Sequence, residues 1–281
     1  MSIFRLSSVF VLVVLLSPVV VAQSRTQIKP GFNLFTKQQD VELGQELAAE
    51  VRKRVTVIHD PVLTAYVTEV GKRLLATPDA RHNGFHFTFE VIADPAINAY
   101  ALPGGPMFIN TGLLKAVDNE AQLAGVMGHE MSHVILRHGT NQVSKAELIE
   151  IPLALAGQMT DGETMMGKLE QLGIGLGEGG MLLKFSRTAE SQADLFGSHL
   201  MAEAGYDPVQ LAKVFDRLNE QGSSAIEFLA DHSNPERRSK AIRLEARHLP
   251  ERTYDYQTGH FQQMKKEVAT IHEPPPKPKA P

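Results

Sequence analysis

Residues 119–139 read NEAQLAGVMGHEMSHVILRHG, and the reading of this stretch decides the architecture around it. Its apolar positions recur at helical intervals, so a helix is predicted from about Asn119 to Arg137, ended by Gly139. Inside it stands His129-Glu130-Met131-Ser132-His133. Residues four apart on a helix differ by roughly 40° around the axis. Both imidazoles therefore leave one face about a turn apart, which suits two corners of a tetrahedral metal site. Glu130 lies beside them, where it can reach a water molecule without binding the ion. Gly125 and Gly128 on the same helix would let another element pack closely.

A catalytic metal site of this kind has three protein ligands. The chain contains no cysteine, which leaves His, Glu or Asp and also removes disulfides and thiol chemistry. Glu190 is the candidate third ligand, with Asp194 one helical turn later. That spacing lets Asp194 accept a hydrogen bond from a ligand histidine. On spacing alone the pair is equally a solvated helix face. His138 is nine positions beyond His129 and His199 nine beyond Glu190, each roughly half a rotation away on an unbroken helix, so both read as ordinary polar or core histidines. Gly84 separates His82 from His86 at a strand entrance. His232 falls in a loop just before a helix, where a capping role is the default.

Working outward, the chain has 281 residues, 43% hydrophobic and 21% charged, with a formal charge of −4. This is ordinary globular composition, without the basic excess that nucleic-acid binding needs. Residues 1–22 read as a signal peptide: Arg5 is the positive start, Val9 to Leu16 is an apolar run, and Val20-Val21-Ala22 offers a cleavage site. The run is too short to span a bilayer, and no other stretch predicts a transmembrane helix in the mature chain. Thr36 with Gln39 makes a capping box for a helix whose apolar positions are Val41, Leu47, Ala48, Val51 and Val55. Asp60-Pro61 opens a second helix with Leu63, Tyr66, Val67, Val70 and Leu74 on its buried face. Strands are predicted at Phe85 to Ile92 and Met107 to Asn110, with a turn at Pro103 to Pro106. Loose helical character resumes after Gly139 through Ala156. Residues 157–181 carry eight glycines and four methionines and read either as a flexible connector or as a cover over a site. Ser186 caps a helix that stops at Gly205, Asp207-Pro208 opens the next, and Asn234-Pro235 opens a last, basic one. Residues 273–281 form a proline-rich tail that is expected to be disordered. A single domain over 23–272 follows: α+β, predominantly helical, with a small sheet.

Together His129 to His133, Glu190-Ser-Gln-Ala-Asp194 and Ala204-Gly-Tyr-Asp-Pro208 resemble the zinc metallopeptidase family of the CAAX prenyl endopeptidase and HtpX, in its exported, BepA-like branch. Asn33-Leu-Phe35, Asn98-Ala-Tyr-Ala-Leu-Pro-Gly-Gly105 and His232-Ser-Asn-Pro-Glu-Arg237 share the likeness, which covers roughly residues 31–247. The resemblance implies a gluzincin-like domain with one zinc ion per chain, held by His129, His133 and Glu190. It implies that Asn98, Ala99, Tyr100 and Ala101 form an exposed edge strand near the metal, where a substrate backbone pairs. It also implies that His232 approaches the site as an oxyanion stabiliser or a latency switch. Either Arg237 or Arg238 faces inward. BepA-like chains continue into helical repeats, but no 34-residue period is present here, so recruitment through repeats is not expected. The implied activity is zinc-dependent hydrolysis of peptide bonds in exported, periplasmic or secreted proteins. Its substrates would be misfolded or envelope proteins, with envelope or outer-membrane partners and a quality-control role. The alternatives are a zinc-containing, chaperone-like or latent scaffold with little proteolysis, and zinc hydrolysis of a non-peptide bond.

Overall fold

The computed structural model describes residues 25–150, 185–221, 235–250, 252–256 and 258–273. The expected signal peptide, the Gly/Met-rich segment 157–181, His232 and the tail from 274 onward lie outside the described residues. In chain order the elements are α1 (Lys37–Arg54), α2 (Pro61–Leu75), β1 (Thr88–Ile92), β2 (Ala99–Ala101), β3 (Pro106–Asn110), α3 (Thr111–Ala116), α4 (Glu120–Ile135), α5 (His138–Glu150), α6 (Arg187–Glu203), α7 (Val209–Gln221), α8 (Pro235–Ala246) and α9 (Phe261–Thr270). The chain is thus mostly helical, with one small mixed sheet ordered β1-β3-β2. β1 runs parallel to β3 and β2 antiparallel to it.

Several local signals act as their chemistry dictates. Thr36 accepts a hydrogen bond from the Gln39 backbone while the Gln39 side chain returns to the Thr36 backbone. Asp60 accepts from the Leu63 backbone N–H, with Pro61 in the first turn of α2. The buried face of α2 is Leu63, Tyr66, Val67, Val70 and Leu74. In α1 the face begins at Leu43 rather than Val41, which is only half-buried, as is Val55. β1 is shorter than the predicted Phe85 to Ile92, because pairing with β3 begins only at Thr88.

The organising element is α4. Every residue from Glu120 to Val134 is buried, as expected for a helix enclosed by neighbours on all sides. α6 packs along it, α7 crosses it, and β2 lies against another of its flanks. Small residues make the first crossing close: a side chain at Gly197 on α6 would start 3.0 Å from the His129 backbone nitrogen and 3.1 Å from the Gly128 carbonyl carbon. Glu120 anchors the start of α4. It accepts hydrogen bonds from Tyr66 (3.0 Å), Tyr206 (2.7 Å) and Thr258 (2.6 Å), where a negative charge also complements the helix dipole.

The predicted single helix to Arg137 is corrected. α4 ends at Ile135, and Arg137 adopts a left-handed backbone with φ of 58°, so α5 departs from His138 in a new direction. Such a backbone is disfavoured for arginine. It is held by the Arg137 side chain, which pairs with buried Asp40 and donates to the Phe35 carbonyl at 2.6 Å. The reading of α8 as the last helix is likewise corrected by α9, whose Phe261, Met264 and Val268 are buried. Gly197→Val would force a branched side chain into the α4–α6 crossing. Chemical denaturation should register a loss of about 1–3 kcal/mol for such overpacking.

Candidate metal centre

Two neighbouring helices build the centre. His129 and His133 project from the buried middle of α4, and Glu190 from the first turn of α6, which Ser186 caps by accepting from the Ala189 N–H. One potential ligand atom from each of the three lies within 4.8 Å of the others. The two Nε2 atoms are 3.1 Å apart. Glu190 Oε2 is 3.7 Å from His129 Nε2, and Glu190 Oε1 is 3.6 Å from His133 Nε2. Glu130 Oε1 stands 3.9 Å from His129 Nε2. All four side chains are buried.

Each imidazole is oriented through its remaining nitrogen. His129 Nδ1 lies 3.1 Å from Asp194 Oδ1, so a neutral ring that donates there keeps its Nε2 lone pair for an ion. Burial, together with the nearby charge of Arg238, shifts His129 downward and favours that neutral form. Asp194 is pushed up by burial but more than balanced by Arg238 and His129, which hold it at about 2. Arg238 is the clamp. It donates to Asp194 through Nε (2.8 Å) and Nη2 (2.7 Å), and its Nη1 lies 3.2 Å from Glu190 Oε2. Its guanidinium lies 4.0 Å from the Phe215 ring centroid. Arg238 is therefore the inward arginine, while Arg237 is exposed.

His138, read as pointing away, faces the centre. The break at Arg137 returns its ring to α4, with Nδ1 3.1 Å from His133 Nδ1 and Nε2 3.2 Å from Gln192 Oε1. Burial is the main cause of its shift down to about 4, so it is neutral and able to accept from His133. Phe185 stacks on the other side of His133 at 4.0 Å between centroids. The signal for His138 was present only as the Arg-His-Gly sequence at the helix end. His199 is an ordinary buried histidine, 2.7 Å from Glu245.

The donor set fits a divalent cation. Glu130, Glu190 and Asp194 bring three carboxylates into one buried cluster, and Arg238 is the guanidinium placed among them. Ionised together they leave two negative charges that low-dielectric surroundings penalise heavily. Two imidazoles and a carboxylate are also the ligand types that zinc accepts.

The sheet supplies a second feature. β2 is the terminal strand. Asn98 O accepts from Asn110 N, and Leu102 N donates to Pro106 O, both across to β3. By alternation, the backbone groups of Ala99 and Ala101 turn to the opposite edge. The Ala99 N–H is taken by the Asn98 side chain at 2.9 Å. The expected exposure of this strand is corrected: Asn98, Ala99 and Tyr100 are buried and only Ala101 is half-buried.

Residues 61–246 match peptidase family M48. The beta-barrel assembly-enhancing protease of Escherichia coli (strain K12) is 30% identical over 224 residues, 75% of this chain and 44% of that protein. Its counterpart in Yersinia pestis is 28% identical over 238 residues, 81% of this chain and 48% of that protein. The mitochondrial metalloendopeptidase OMA1 of Schizosaccharomyces pombe is 29% identical over 211 residues, 74% of this chain and 60% of that protein. The chain thus spans about half the length of the curated bacterial relatives it matches. His138→Ala would remove the group that fixes His133. Chelator competition should show metal affinity falling about 10- to 100-fold, with the helical circular dichroism retained.

Proposed function

The chain belongs to peptidase family M48, and on that basis we propose that it is a zinc-dependent endopeptidase acting on exported polypeptides. The observation that carries the reading is the convergence of His129, His133 and Glu190 with Glu130 beside them. His129, His133 and Glu190 would hold the ion through Nε2, Nε2 and the carboxylate. A zinc ion, when bound, supplies positive charge that acidifies water and polarises a scissile carbonyl.

The chain's own groups do the rest. Glu130 takes the proton of the attacking water and passes it to the departing amine. Asp194 and His138 hold the two imidazoles in the tautomer that leaves Nε2 free. Arg238 keeps Asp194 ionised and fixes α8 against α6. The outer edge of β2 offers the backbone of half-buried Ala101 to an extended substrate, so affinity comes from backbone pairing with little demand on sequence. His232 is assigned to the oxyanion or to latency by resemblance only.

The N-terminal segment 1–22 supports export, and the bacterial relatives' name supports proteins of the cell envelope as substrates. Among the described residues no helix is long and apolar enough to cross a membrane. A periplasmic protease of quality control is the reading these features favour over a scaffold, because a purely structural metal site has no use for Glu130.

Metal content and cleavage of an unfolded test protein separate the roles. Glu130→Gln should retain the metal while kcat falls at least about 100-fold, the lower range for a lost general base. His133→Ala and Glu190→Ala should lose the metal as well. Cleavage by Glu130→Gln at the wild-type rate would refute the peptidase reading.

A further inference from the structure

A cavity of about 320 Å³ lies apart from the metal centre, since none of His129, Glu130, His133 or Glu190 lines it. That volume falls at the lower end for small-ligand sites. Leu136 at the end of α4 and Phe196 on α6 are buried in its wall. Half-buried Ile135 and Ile28 extend this apolar surface. Lys37 and His82, which also line the cavity, are both exposed. The depth is therefore apolar and the mouth basic.

The charged groups around it differ in what they have left to give. Arg25 bridges Asp79 at 2.9 Å and Glu203 at 2.8 Å. Arg137 is paired with Asp40, and His199 Nε2 lies 2.7 Å from Glu245. Lys37 is different. Its ammonium donates to the Asn83 carbonyl at 2.7 Å and stands 5.6 Å from the Phe85 ring centroid. Neither partner carries charge, and among the described residues no carboxylate pairs with it. A cation entering the cavity would meet Arg25, Lys37 and Arg137 against a single lining carboxylate, Asp79, which Arg25 already holds. A phosphate would call on guanidinium forks, and both are taken. One negative charge on an apolar body is what the lining accommodates.

We infer that this cavity is a binding site for an aliphatic monocarboxylate, its hydrocarbon body against Leu136, Phe196 and Ile28 and its carboxylate on Lys37. The inference is independent of the endopeptidase reading. His82 offers a ring nitrogen as a further donor at the mouth. Such a group reaches a protein either as a free fatty acid or as the C-terminus of a peptide ending in an aliphatic residue. Lys37 reads the charge that the two share, and the apolar wall reads the chain.

Calorimetric titration of the metal-loaded full chain tests this with octanoate, octanol and acetate, and with acetyl-Ala-Ala-Leu bearing a free or an amidated C-terminus. Octanoate should bind about tenfold or more tighter than octanol, as expected for a hydrogen bond to a charged group. It should also exceed acetate about tenfold or more, because acetate lacks the methylenes that the wall would bury. Lys37→Gln should remove the advantage of octanoate over octanol, and Lys37→Arg should restore it. Lys37 is exposed, so neither variant disturbs the core. Binding of octanoate alone supports the site with fatty acids as the source. Binding of the free peptide acid alone supports it with polypeptide termini as the source, and binding of both supports the shared carboxylate. No binding of either acid, or octanol binding as tightly as octanoate, overturns the site. Octanoate binding undiminished in Lys37→Gln also overturns it, which is the outcome if the acid binds the metal ion instead.

Discussion

The structure depends on a balance of buried charge. Three carboxylates, Glu130, Glu190 and Asp194, lie with Arg238 in one cluster at most 5% exposed. A lone ionised carboxylate in such a place costs many kcal/mol, and proteins keep one only when it is paired or binds a metal. Arg238 meets part of the requirement by bridging Asp194 and Glu190. A divalent ion held by His129, His133 and Glu190 would meet the rest. The cluster is thus a demand for positive charge built into the core, which Arg238 answers in part.

The surrounding fold serves to keep that demand fixed in space. α4 is buried along almost its whole length, and residues on an enclosed helix have little freedom to turn away. The Gly128–Gly197 approach brings the α6 backbone near enough for Glu190 to reach the two rings. α8 packs on both α6 and α7 and carries Arg238 to the carboxylates across 44 positions of chain from Asp194. α8 also carries Glu245, which accepts from the Thr26 backbone and contacts His199 on α6. The same two helices are therefore tied at a second point, distant in sequence from the first.

The sequence makes part of this legible, for physical reasons. His129 with His133, and Glu190 with Asp194, are pairs four apart on helices with recognisable caps, so local geometry alone aligns each pair. What local geometry cannot reveal is how two helices meet, so spacing alone leaves Glu190 as either a ligand or part of a solvated face. Ideal helical rotation places His138 on the far face, because Arg137 is a residue type that gives no warning of a left-handed turn. Its compensation comes from Asp40, nearly a hundred positions away. Arg238 could have been favoured over Arg237, since Arg238, Ile242 and Glu245 share a helical stripe and all are buried. α9 has a comparable stripe at Phe261, Met264 and Val268, spaced at helical intervals and legible in the sequence.

The correction at Arg137 links features that looked separate. Had α4 continued through His138, that ring would point away from the rings it orients, and Gly139 and Val143 would not turn back beside Glu130. The turn that brings His138 to His133 also sets Gly139 and Val143 of α5 against a cavity walled by Glu130 and His133, and the Asp40–Arg137 pair that stabilises the turn lines the same space. The orientation of the His133 ring and the lining beside Glu130 thus share one backbone constraint. A change that releases Arg137 acts on both at once, because its side chain ties the turn to Asp40 and to the Phe35 carbonyl.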